Sequence, residues 1–106
     1  MSYQHQHTRK GRQAIGIHNV SHILTRLADI TRSCLRERNM EKAAYYLSMA
    51  EDIYKKGNAY TRNLVANIFV FSVSAYCEIC RLNIRKAFPE SLLKEYRKQV
   101  SAASGL

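Results

Sequence analysis

The chain has 106 residues, 46% hydrophobic and 24% charged, which suits one globular domain and excludes a disordered chain. Its formal net charge is +9, and such a surface attracts polyanions. The excess is uneven. Arg9, Lys10, Arg12, Arg26, Arg32, Arg36 and Arg38 outnumber the acids of residues 1–40, and Arg81, Arg85, Lys86, Lys94, Arg97 and Lys98 those of residues 81–106. The middle third is balanced. The three cysteines, Cys34, Cys77 and Cys80, are an odd count set in apolar helical patterns, and no apolar leader opens the chain. Reduced packing thiols in a cytoplasmic protein are expected.

Residues 1–16 are polar and basic, with His5, His7, Gly11 and Gly16 and no sustained period. They are expected to form a flexible basic N-terminal arm ahead of a single helical domain, 17–104. A first helix is predicted over 19–38, started by Asn19 or Ser21. Val20, Ile23, Leu24, Leu27, Ile30, Cys34 and Leu35 recur at three and four, opposite His22, Arg26, Asp29, Arg32 and Arg36. Asn39 is suited to cap a second helix, Met40 to Lys56, whose buried line is Ala43, Tyr46, Leu47, Ala50, Ile53 and Tyr54. The short link makes these two an antiparallel hairpin.

Gly57 is expected to end that helix in a left-handed conformation, and Asn58 to cap a long central third helix over 58–86. From Leu64 to Leu82 that helix is almost wholly apolar and must be surrounded by partners. One stripe is Leu64, Ile68, Phe71, Ala75, Ile79 and Leu82; another is Val65, Phe69, Tyr76 and Cys80. A polar line, Asn63, Asn67, Ser74, Glu78, Arg81 and Arg85, runs between them. Ile68, Phe71 and Ala75 are predicted to be buried with Leu47. The stretch 68–73 is rich in β-branched and aromatic residues, yet its flanking period decides for helix over strand. Asn67 and Glu78 interrupt the apolar run, which is too short to span a membrane. Phe88-Pro89 breaks the pattern, and a fourth helix follows over 89–103 with Leu92, Leu93, Tyr96 and Val100 as one apolar stripe. The expected fold is all-α, a four-helix up-down bundle.

Two resemblances add to this. Leu27, Ile30, Thr31 and Cys34, followed by Ala43, Leu47 and Ala50, fall at the signature positions of a tetratricopeptide repeat, so residues 24–56 resemble a single such hairpin. Leu27 and Thr31 replace the repeat's large aromatic and glycine, and no second unit follows. The stretch from residue 50 to 100, with "YKKGN", "NIFVFSVS" and "FPESLLKEY", resembles small uncharacterised helical proteins of Bacteroidetes. That resemblance implies no activity and no catalytic residue.

Chemistry is sparse. Cys77-Glu78-Ile79-Cys80 is a C-x-x-C deep inside a helix, where no helix N-terminus lowers a thiol pKa. Zinc would need two further ligands, for which His18 and His22 are the available pair. No nucleophile–base–acid constellation and no phosphate loop can be read, so neither catalysis nor a cofactor or metal is expected. The carboxylates read as partners of neighbouring cations, Asp29 of Arg26 and Arg32, Glu78 of Arg81. Tyr45, Tyr60 and Tyr96 are candidate anchors for a protein partner. Arg26, Arg32, Arg36, Arg85, Arg97 and Lys98 are candidate polyanion contacts. The expectation is a small protein-interaction module, an adaptor or a self-associating one. The competing expectation is an accessory protein that binds nucleic acid weakly and without sequence preference.

Overall fold

The computed structural model describes the backbone of residues 3–104 and the side chains of residues 19–102. Among the described residues the chain forms five helical rods and no strand. Helix α1 spans Tyr3–Arg36 and α2 Met40–Lys56. A continuous rod over 59–79 is built from α3 (Ala59–Leu64), a π-helical turn (Val65–Val70) and α4 (Phe71–Ile79). The single turn α5 (Ile84–Ala87) and α6 (Glu90–Ser104) complete the chain. The rod is the centre, and α1, α2 and α6 pack around it.

The hairpin forms as its sequence implies. Asn39 accepts from the Lys42 N–H at 3.2 Å, and Ala43, Leu47 and Ala50 are buried against Leu24, Leu27 and Leu35. Helix α1 starts earlier than expected. Its backbone is helical from Tyr3, through the stretch read as an arm, because a helix nucleated at its apolar end propagates readily through Gln, Arg, Lys and Ala. The expected arm otherwise lies outside the described side chains.

Two helices end without a glycine, the first close to its expected end and the central one well before it. Arg38 and Arg81 both adopt positive φ, 61° and 59°. Beyond them the Asn39 N–H reaches the Cys34 carbonyl and the Leu82 N–H the Cys77 carbonyl, each at 2.8 Å, the bond pattern of a Schellman stop. Glycine usually takes this position, so arginine there gives no signal. The central helix therefore ends at Ile79 instead of running to residue 86, and Asn83 caps the separate turn α5, a fifth helix. Gly57 differs in the opposite sense. Its backbone is extended (φ −90°, ψ 164°), not left-handed. A Cβ there would lie 2.6 Å from Thr61 Cβ and 2.9 Å from the Ile53 carbonyl oxygen, so close approach requires the glycine.

The π turn decides which face of the rod is buried. Val65, Phe69, Val73 and Cys77 are all fully buried, at a constant step of four. In an unbroken α-helix these twelve steps would drift about 120° around the axis. One extra residue in a π turn takes back about 100° of that drift. Phe71, two residues after Phe69 and so about 200° round the rod from it, is 63% exposed, and Ile79, two turns further on the same side, is 79% exposed. Ile68 and Ala75 are only half-buried. The predicted burial of Phe71 is thus wrong, and that of Leu47 holds. Ser74, placed on the polar line, is buried one turn after Val70.

Helix α6 locks this arrangement from outside. Gln99 Nε2 donates to the Ala66 carbonyl at 2.9 Å, the carbonyl that also receives the π-type bond from the Phe71 N–H. At the other end Glu51 of α2 accepts from the Leu92 N–H at 3.3 Å, a carboxylate at the positive start of α6.

Candidate protein-interaction surface

Three helices cover the rod, but not all round. Ser72 lies on the α1 side, where Arg32 donates to its hydroxyl. Glu78 lies on the α6 side, where the Tyr96 hydroxyl donates to it at 2.6 Å. Between these edges Phe71, Ala75 and Ile79 follow one another at i, i+4 and i+8 and form the open face of α4. Beside them Phe71, Ser74, Ala75, Glu78, Tyr96, Gln99 and Val100 line an open groove of about 350 Å³ between α4 and α6. Its lining combines the small side chains of Ser74 and Ala75 with the larger Phe71, Tyr96 and Val100. Isolated apolar residues on a surface are ordinary; a contiguous set marks a contact site.

The polar groups of this groove serve the fold. Glu78 was expected to pair with Arg81 and instead accepts from Tyr96, whose pKa is raised by that hydrogen bond first and by burial second. Tyr96 also packs edge-on against buried Phe88, ring centres 6.4 Å apart. Gln99 is committed to the π turn.

A second polar cluster joins α2 to α6. The Tyr54 hydroxyl donates to Glu95 at 2.5 Å, and Lys98 reaches the same carboxylate oxygen at 3.3 Å. Arg62 stacks over the Tyr54 ring. The Tyr54 pKa is raised, mainly by the bond to Glu95 and then by burial. Every group in it already has a partner, so it reads as cement between helices. A further cleft of about 290 Å³ lies between Leu35, Met40, Ala43, Leu47, Leu82 and Ala87. The side chain of Asn83, at its edge, already accepts from the Lys86 N–H.

The candidate residues named from sequence are scattered. Tyr45 (61% exposed) stands on α2, edge-on to Tyr46 at 5.1 Å, and Tyr60 is exposed at the start of α3. Of the three tyrosines, Tyr96 alone lines the groove. Arg26 and Arg36 are exposed on α1; Arg32 is half-buried, paired with Asp29 as expected and bonded to Ser72. Arg85 is exposed on α5. Arg97 and Lys98 share an exposed patch of α6 with Lys94 and Ser101. Phe71, Ala75 and Val100 of the groove, and Ile79 beside it, were not recognised as a surface. The available signal was the unvarying step of four from Val65 to Cys77, which an α-helix does not sustain on one face.

All three cysteines are free. Cys77 is fully buried, and burial first, then the charges of Cys80 and Glu78, push its thiol up to about 11. Cys80, expected to pack, is exposed just past the end of α4. A thiol held protonated is neither a nucleophile nor a good ligand at neutral pH. Among the described residues no three His, Cys, Asp or Glu side chains converge on a common point. His22 is exposed, and the side chain of His18 lies outside the described residues. No described helix is long and apolar enough to cross a membrane.

The chain belongs to a domain family of unknown function: residues 3–102 match the family described as "Domain of unknown function (DUF7674)". The match takes in the N-terminal half of α1. No curated protein and no solved structure matches the chain.

Proposed function

We propose that this protein is a non-enzymatic interaction module, working in the cytoplasm, that binds another protein through the groove between α4 and α6. The observation that carries the reading is the exposure of Phe71 and Ile79 on a helix whose opposite face is the centre of the core. Two large apolar side chains in water cost the free protein roughly 1.5–3 kcal/mol each relative to burial, and a partner that covers them recovers that free energy. Tyr96 and Val100 extend the same surface on α6. The hairpin of α1 and α2, with its small–large–small line Ala43, Leu47 and Ala50, supports a likeness to a tetratricopeptide unit put to use as scaffold.

A photo-crosslinking residue at position 71 or 79 tests the reading in cells. Protein adducts should form there and not from position 52, an exposed site on α2. Equal adducts from all three positions, or none, would refute it. The competing reading, weak binding of nucleic acid, draws on the basic patch of Lys94, Arg97 and Lys98 and on the net charge of +9. Adducts to nucleic acid in place of protein would reverse the ranking.

A further inference from the structure

We infer that the occupant of the groove is an acidic amphipathic helix of another protein; this rests on the reading of the α4–α6 groove as a docking face. The shape of the groove sets the first half. Its two walls belong to neighbouring helices, so a third helix laid along them places its ridge in the channel. Phe71 and Ile79 are about 12 Å apart along α4 at 1.5 Å per residue, a span that apolar side chains at i, i+4 and i+7 of a partner helix match. With small Ser74 and Ala75 in the lining beside Phe71, Tyr96 and Val100, the groove's volume of about 350 Å³ has room for a large side chain of the partner.

Charge sets the second half. Arg32 reaches across from α1 to Ser72, next to Phe71, but its charge is already paired with Asp29, so the rim rests on the arginines beyond it. The Tyr76 hydroxyl, three residues before Ile79, has its pKa raised by the hydrogen bond with Cys80 first and by burial second, and the charge of exposed Arg36 opposes that rise. Beyond Ile79 the chain turns at exposed Arg81, and on α6 exposed Arg97 stands one turn before Val100. Glu78 is the one acid among the groove's lining residues, and it is held by Tyr96. Exposed Arg36, Arg81 and Arg97 give the apolar face a cationic rim, on a chain of net charge +9. A second copy would bring the same excess and the same rim, so like charges would oppose its docking. A helix with carboxylates flanking its apolar stripe meets the rim with opposite charge.

The test uses the full chain and three labelled helical peptides that share one leucine stripe. One carries Glu on its polar face, one Lys, and one has the Glu composition with the stripe scrambled. Fluorescence anisotropy at physiological ionic strength should show the Glu peptide binding about tenfold or more tightly than the Lys peptide, with a preference that shrinks as salt is raised. Phe71→Ser and Ile79→Ser, both at exposed positions, should each weaken it, and the scrambled peptide should not bind. Equal or tighter binding of the Lys peptide, still lost in Phe71→Ser, would overturn the acidic partner and leave the groove standing. So would a dimer of the wild-type chain in sedimentation that Phe71→Ser dissolves. Binding of the Glu peptide untouched by both substitutions, or no binding of any peptide, would overturn the groove reading and the inference together.

Discussion

Phe69 and Phe71 are two residues apart on one helix and have opposite fates. Phe69 is fully buried among Val65, Val73 and Cys77, whereas Phe71 stands on the open face with Ile79. Composition does not separate the two faces, since both are apolar. Their spacing already puts them about 200° apart on the rod, and the π turn over Val65–Val70 then keeps the line from Val65 to Cys77 inward, so that Phe69's side stays the core beyond the turn. The lesson is that an apolar stripe selects a core only when the helix keeps its period. Where the period slips, the stripe that fits α-geometry becomes the surface.

The largest effect expected from this contrast comes from changing the count of residues. Deleting Asn67, an exposed residue within the π turn, removes the extra residue and returns that turn to α-geometry with α4 still in phase. The protein should keep a single cooperative unfolding transition. Deleting Ala75 within α4 instead turns Cys77 out of the core by about 100°, and the transition should be lost or broadened. The reverse result in denaturant melts would show that the π turn does not set the register.

A smaller effect is expected at the lock. Gln99→Leu removes the bond to the Ala66 carbonyl and should lower stability by about 1 kcal/mol, read from the urea midpoint. A variant as stable as wild type would mean that packing alone holds the turn.

The buried face should also show itself in alkali. The folded protein holds the Cys77 proton up to about pH 11, above the ordinary thiol value of 9.0. The unfolded chain releases it earlier, so in this range the native state binds more protons and stability falls as pH rises. This contribution is complete below about 9 and gone above about 11. Tyr54 and Tyr96, both raised above 10.0, add to the loss at the upper end. Melting temperature should therefore decline between pH 9 and 11, and less steeply in Cys77→Ala, whatever that variant's stability at neutral pH. Parallel pH profiles for the two proteins would contradict the burial of this thiol.

Much of the fold was legible because it rests on local rules. Asn39 and Asn58 cap α2 and α3 as side-chain chemistry requires, Ala43, Leu47 and Ala50 form the buried line of α2, and Pro89 marks the start of α6. What was not legible depends on tertiary contacts or on residues that break preference. Arg38 and Arg81 take a backbone conformation that a sequence reader reserves for glycine, so the end of the central helix was misplaced. The π turn is held by Gln99, thirty-three residues away, and no local pattern announces such a contact. The surface residues followed from this error: Phe71 was assigned to the core, while Tyr45 and Tyr60 were named as anchors on helices that do not line the groove.

The most direct test of the account is a pair of equilibrium unfolding curves. Phe69→Ala should cost roughly 3–5 kcal/mol, as expected for truncating a fully buried aromatic ring. Phe71→Ala should stay within about 0.5 kcal/mol of wild type, as expected at an exposed position. A large loss in Phe71→Ala with Phe69→Ala nearly silent would show that the helix turns its other face inward, and the proposed docking surface would be the core.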